Sequence, residues 1–124
     1  MAITYDFLTQ GEFLVVNSYG EISSHEDMIE HAENVIDAAL RLGLTKILIQ
    51  SSSLSIQLDP QEASMFAQGI DHLELVFKGF RIATVVAPEN IQSRAFIEDA
   101  LVKRGVMYKK FETRKDAAKW LTNN

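Results

Sequence analysis

The chain contains no cysteine, which removes disulfides, thiol nucleophiles and cysteine-type zinc sites together. It has only two prolines, and no repeat, low-complexity stretch or Gly/Ser-rich linker divides it. No apolar run approaches the ~20 residues needed to span a bilayer. The most apolar stretches, Phe13–Val16 and Ile82–Ala87, have the length of strands. Residues 1–9 carry Asp6, no Lys or Arg and no unbroken apolar segment, unlike a secretory signal. A cytoplasmic location without a transmembrane segment is therefore expected. Positive charge is also scarce, with 12 Lys plus Arg against 17 Asp plus Glu and a formal charge of -5, so nucleic acid is not an expected partner.

What is there is an ordinary globular composition, 47% apolar and 23% charged, over 124 residues. That length predicts one domain over residues 1–124, with enough chain to bury a core. Ile3–Thr9 and Phe13–Tyr19 read as two strands around a Gln10-Gly11-Glu12 turn, the second ended by Gly20. Ser23 and Glu26 form a capping box for a first helix, whose stripe is Met28, Ile29, Ala32, Val35, Ile36, Ala39 and Leu40. Gly43 stops it. Lys46–Gln50 is a short apolar run of the kind buried on both faces of a parallel sheet. A polar loop, Ser51–Gln57, follows.

Asp59, Pro60 and Glu62 then open a second helix as N-cap, first helical residue and box partner, with Ala63, Phe66, Ala67, Ile70, Leu73 and Phe77 inward. Phe80–Ala87 is the next strand. Pro88-Glu89-Asn90 turns into a helix over about Ile91–Arg104, and Gly105 ends it. Val106–Phe111 is the last strand, and Thr113 caps a final helix through Ala117, Trp120 and Leu121. The order β-β-α-β-α-β-α-β-α predicts an α/β sheet of about five strands, mostly parallel, with four helices and one antiparallel pairing.

Several of these residues, in this order, resemble the SpoIIAA-like (STAS/SEC14-type) family of small bacterial proteins. They are Gly20-Glu21-Ile22-Ser23, Lys46-Ile47-Leu48-Ile49, Arg81-Ile82-Ala83-Thr84-Val85-Val86, and the closing Phe111, Ala117-Ala118 and Trp120-Leu121. The resemblance implies a non-enzymatic domain. Its anti-sigma factor antagonist members bind a partner kinase and are switched by a phosphoserine, and its SEC14-type members hold lipids or other apolar ligands. The phosphoserine motif, Asp-Ser-Ser/Thr-Gly at the start of the second helix, is missing. Asp59 fits, but Pro60 stands at the acceptor position without a hydroxyl and Glu62 would repel a phosphate. A serine switch at that point is not expected. Ser51, Ser52, Ser53 and Ser55 lie just upstream, either as modifiable groups or as a plain polar loop.

No catalytic set and no metal set can be named. His25 and His31 are six residues apart, about 240° around a helix, and do not form His-Glu-x-x-His. Both read as solvated surface groups. The six glycines form no Gly-x-Gly-x-x-Gly or Walker loop, and no serine has a Gly-x-Ser-x-Gly context. No cofactor is implied.

Two surfaces remain. Residues 103–124 hold 7 basic and 2 acidic side chains, so Lys109, Lys110, Arg114 and Lys115 form either a patch for an anionic partner or solvated lysines that guard an edge strand. The second helix has a further stripe, Met65, Gly69, His72 and Val76, with Leu75 beside it. The stripe either packs on a neighbouring helix, or forms a dimer seam, or walls an apolar groove near Phe80 and Phe96. The function expected is a protein-interaction module that binds a protein partner and self-associates through this helix and the loops at the strands' carboxyl ends. The alternative is a carrier of a small apolar or lipid-like ligand beside the second helix.

Overall fold

The computed structural model describes residues 3–70, 79–92 and 94–122. A hairpin opens the chain: β1 (Thr4–Gln10) and β2 (Phe13–Ile22) flank a two-residue turn, in which Gly11 takes a φ of 60°. That turn type needs a positive φ at its first central position, which glycine adopts without strain. Next come α1 (His25–Leu42), β3 (Lys46–Gln50), β4 (Leu54–Ile56) and α2 (Pro60–Ile70). After β5 (Arg81–Val85), a 3-10 turn at Pro88–Asn90 leads to α3 (Ala95–Lys103), β6 (Met107–Phe111) and α4 (Arg114–Thr122). The sheet runs β1-β2-β3-β5-β6, and β4 pairs with the far end of β2. Only β1 and β2 are antiparallel; the remaining pairs are parallel. The mostly parallel α/β architecture expected from the sequence is the one found.

Four local expectations are corrected. The segment read as a loop, Ser51–Gln57, contains the sixth strand, because Leu54–Ile56 lies alongside Gly20–Ile22. That pairing also carries β2 past Gly20, which takes a φ of 126° within the strand instead of ending it. With β2 running to Ile22, the chain turns later than expected, and Ser24 rather than Ser23 caps α1. The Ser24 hydroxyl accepts from the Asp27 amide at 3.1 Å. The third helix is shorter than expected and begins at Ala95, because Arg94 departs from helical backbone angles with φ -103° and ψ 6°.

Successive residues of a strand point to opposite faces, and the two faces here are covered unequally. Leu14, Val16, Ile47, Ile49 and Ile82 pack with the buried residues of α1, α2 and α3. Among the described residues, Phe13, Val15, Leu48, Ala83 and Val85 meet α4, through Ala117 and Leu121. Arg81 stacks over the Trp120 ring at 4.2 Å and donates to the Trp120 carbonyl at 2.7 Å, closing that lower layer. On α1 the buried stripe differs from the one expected. Leu40 is 58% exposed, whereas His31 is only 4% exposed. A histidine read as solvated thus stands in the core.

Candidate functional site

Beneath α2, the upper layer leaves an apolar cavity of about 50 Å³, walled by residues that include Met28, Val35, Ile36, Phe66 and Ile97. Five side chains with polar groups interrupt its wall: His31, Ser51, Thr84, Arg94 and Tyr108. They come from α1, the end of β3, β5, the start of α3 and β6, so the parallel order of the sheet gathers them.

Arg94 is the centre of this group. It is 4% exposed, and one guanidinium nitrogen donates to the Ser51 carbonyl at 3.2 Å and to the Ser51 hydroxyl at 3.0 Å. The other donates to the Leu54 carbonyl. Ser51 in turn donates from its hydroxyl to the Val85 carbonyl at 3.0 Å. Arg94 therefore ties the β3–β4 connection to the start of α3. No carboxylate among the described residues pairs with it, so oxygen dipoles alone solvate its charge. Burial accordingly lowers its pKa.

The neighbouring titratable groups are pushed away from neutrality in opposite senses. Burial, and secondarily the Arg94 cation, lower the His31 pKa to about 4. Its Nε2 lies 3.1 Å from the Ser18 hydroxyl. Burial raises the Tyr108 hydroxyl to about 12, and that hydroxyl accepts from Thr84 at 2.9 Å. Neither group is poised to move a proton near pH 7. The arrangement holds one cation in an apolar wall.

Outside Arg94 lies a polar groove of about 340 Å³, lined by Ser52, Ser53, Ser55, Gln57 and Asn90 with Arg94 as the wall shared with the cavity. It sits at the carboxyl ends of β3 and β5, the edge where the sequence placed the binding loops. Of the residues expected there, Ser52 and Ser53 line the groove, whereas Ser51 is 2% exposed and belongs to the Arg94 network. Asp59 accepts from the Glu62 amide at 2.8 Å as the N-cap of α2.

The Glu62 carboxylate does not close the α2 capping box as expected. It reaches across to the start of α1, accepting from the His25 backbone amide and lying 2.6 Å from His25 Nδ1. The amide bond, then the imidazole, lower its pKa. One carboxylate thereby serves the free amide end of a different helix and pins the two helix starts together.

The second-helix stripe is divided. Met65 is 39% exposed, while Gly69 lies against α1, where an added Cβ would come within 2.8 Å of Ile29 Cδ1. His72 and Val76, with Leu73, Leu75 and Phe77, lie outside the described residues.

The basic residues of the C-terminal region do not act alike. Lys110 pairs with Glu98 at 3.1 Å, Lys109 lies over the Phe111 ring at 5.6 Å, and Arg114 donates to the Gln10 side chain. Lys115 is exposed on α4. Lys109 and Lys110 share a surface hollow with Glu98, Glu112 and Asp116, so its charge is mixed. Among the described residues no group of three or more His, Asp or Glu side chains could hold a metal ion, and no helix is long and apolar enough to cross a membrane. Reasoning from sequence missed Arg94, His31, Ser18 and Tyr108. The only signal in the chain was a lone Arg at the head of the apolar Ala95-Phe96-Ile97 run.

No family model and no curated protein matches the sequence. Solved structures do. The chain is similar to an uncharacterized DUF3478-family protein with a SpoIIAA-like fold from Shewanella loihica PV-4, at 20% identity and a TM-score of 0.59, covering 96% of this chain and 93% of that one. It is similar to an anti-sigma factor antagonist from Mycobacterium paratuberculosis, at 16% identity and a TM-score of 0.62, covering 98% and 96%. A third structure, the anti-sigma factor antagonist SpoIIAA in its unphosphorylated form, aligns at 16% identity and a TM-score of 0.51, covering 99% and 100%.

Proposed function

From the premise that this chain has the SpoIIAA-like fold, we propose that residues 1–124 act as one non-catalytic protein-interaction module, cytoplasmic and self-associating. The observation that carries this reading is the polar groove at the carboxyl ends of β3 and β5, with Arg94 at its inner wall. Parallel α/β sheets bind their partners at that edge. The groove offers serine hydroxyls and amide side chains over a buried cation, a surface suited to recognising polar backbone groups of another protein. Two proteins of like fold are described as anti-sigma factor antagonists, which lends the reading support. The phosphoserine position of the wider family remains occupied by Pro60, so the partner is bound without a switch at that residue.

Site-specific photo-crosslinking tests this. A photoreactive residue at Ser53 is expected to give a discrete heavier protein adduct in the native host, while one at Lys115 on α4 does not. No adduct from Ser53, or equal adducts from both positions, would count against the groove as partner surface.

The cavity favours a second reading, the small-ligand carrier. Its volume limits that reading: an apolar cavity of about 150 Å³ accepts benzene, and this one is about 50 Å³. A lipid-like ligand therefore requires α2 to move outward. Native mass spectrometry of protein purified without detergent discriminates the two. Extra mass of a few hundred daltons, lost on denaturation, would favour the carrier; bare chain, or a bare multiple of 13.9 kDa, favours the interaction module.

A further inference from the structure

The two edges of the sheet are built differently. At the β6 edge the Lys110 amide, which would otherwise point outward, donates to the Glu98 carboxylate at 3.1 Å, and Lys109 stands exposed beside it. A side-chain cap and exposed lysine are devices that keep another strand from adding there. The β1 edge has neither. Its seven residues, Thr4–Gln10, contain no proline, no lysine and one charge, Asp6. Among the described residues only β2 pairs with it. Phe7 and Leu8 are 41% and 55% exposed, on opposite faces of the strand.

The hairpin also determines which backbone groups are free. Its two-residue turn closes on Gln10 opposite Phe13, and the residues flanking such a turn exchange hydrogen bonds. Antiparallel ladders alternate bonded and non-bonded pairs. Thr4, Asp6, Leu8 and Gln10 therefore direct their amides and carbonyls to β2, and those of Tyr5, Phe7 and Thr9 point away from the sheet.

We propose that β1 is the seam of a homodimer, in which two copies pair β1 antiparallel to β1 about a two-fold axis at Phe7 and continue one sheet through both molecules. This rests on the self-association in the reading above and gives it a place and a register. With Phe7 opposite Phe7 of the other copy, Tyr5 and Thr9 face one another, and every outward amide of the strand meets a carbonyl. All seven residues of β1 are matched. On the lower face each Asp6 lies opposite Leu8, so the two carboxylates stay apart. Centring the axis on Asp6 would set the two carboxylates directly opposite each other in a close, non-hydrogen-bonded pair, which is unfavourable. Centring it on Leu8 would bring Tyr5 against the turn at Gly11 and leave Thr4 unmatched. A two-fold contact of this kind is closed and uses the same strand on both copies. Glu30 on α1 lies on the Tyr5 side of the sheet, since its charge raises the Tyr5 pKa alongside burial. Copies of α1 flank the seam on that face, so added salt should strengthen the dimer rather than weaken it.

The sequence contains no cysteine, so single cysteines report the register without background. Residues opposite one another in a hydrogen-bonded antiparallel pair have Cα atoms about 5.5 Å apart, within disulfide range. Under mild oxidation Phe7→Cys is expected to cross-link to itself on the order of tenfold faster than Asp6→Cys or Leu8→Cys, whose copies are farther apart than a disulfide spans. Sedimentation equilibrium of the wild type is expected to give twice the 13.9 kDa chain. Phe7→Pro, which removes an outward amide and no bond to β2, is expected to be a folded monomer; Phe7→Lys, which puts two cations at the axis, is the second route to the same result. A monomeric wild type would overturn self-association as well as the seam. A dimer that survives in folded Phe7→Lys, or that cross-links fastest through Leu8→Cys or Asp6→Cys, would overturn the seam or its register and leave self-association standing.

Discussion

His31 occupies a position on α1 that polar neighbours, Glu30 and Glu33, mark as wet. It is buried because Ser18, inward on β2, offers an oxygen at 3.1 Å and because its ring packs among the apolar residues of the cavity wall. Burial keeps it neutral down to about pH 4, whereas in the unfolded chain it takes a proton near 6.5. Between those values the unfolded state binds more protons. Stability is complete above pH 6.5 and falls as pH drops toward 4. From pH 7 to pH 5 the loss from this one group is about 2 kcal/mol. Urea unfolding at the two pH values should show that loss in the wild type, and His31→Gln, which keeps a polar partner for Ser18, should flatten it by that amount. The window lies above most carboxylate titration, so equal slopes in both proteins would refute the assignment. Arg94 supplies the companion test. Arg94→Met removes the buried cation but strands the Ser51 and Leu54 carbonyls, at a cost on the order of 3 kcal/mol. Arg94→Lys should recover only part of it, since one ammonium cannot reproduce a fork spanning two carbonyls.

At the scale of elements, what could be read from the chain depended on whether the determining contacts were local. Lys46–Gln50 and Arg81–Val85 fall within the strands expected, because a short apolar run with β-branched residues has few other uses. The caps at Asp59 and Gly43 were legible too, since each acts within a turn of its own helix. β4 was not. Three residues in a serine-rich segment carry too little alternation to stand out, and the strand exists only because β2 extends beside it. Glu62 has a common local partner in the Asp59 amide and yet binds a distant one, because the start of α1 presents an unpaired amide within reach. Of the candidate site, the groove's place follows from the strand order, but its cation does not, since a lone Arg ahead of the apolar Ala95–Ile97 run is a signal that surface residues share. Gly69 shows how an element contact turns into a prediction. It lets α2 approach α1 where an added Cβ would sit 2.8 Å from Ile29 Cδ1. Gly69→Val should destabilise by about 1–3 kcal/mol through overpacking. Gly69→Ala should be much milder, because the tip of Ile29 can rotate and alanine favours the helix by up to ~1 kcal/mol. Denaturant midpoints of the two variants check the order.

On the scale of the whole molecule, the basic residues that the sequence gathers in 103–124 make contacts of different kinds. Lys110 pairs with Glu98, Arg114 donates to the Gln10 side chain and Lys109 lies over the ring of Phe111. Phe7 and Leu8 are exposed at successive positions of β1, the edge strand that lacks protection. If two copies share that strand, the native state alone is stabilised by association, and mass action makes unfolding concentration-dependent. The melting temperature of the wild type should then climb with protein concentration, by about 4 °C for each kcal/mol gained in a chain of this size. Phe7→Lys should melt at one temperature throughout the same dilution series. The comparison removes the intrinsic cost of the substitution, because only the slope with concentration is read. A flat wild-type series would mean that the exposed β1 edge stays single over the range tested. A slope shared by both proteins would place the contact elsewhere, and the exposed Met65 on α2 would be the next face to alter.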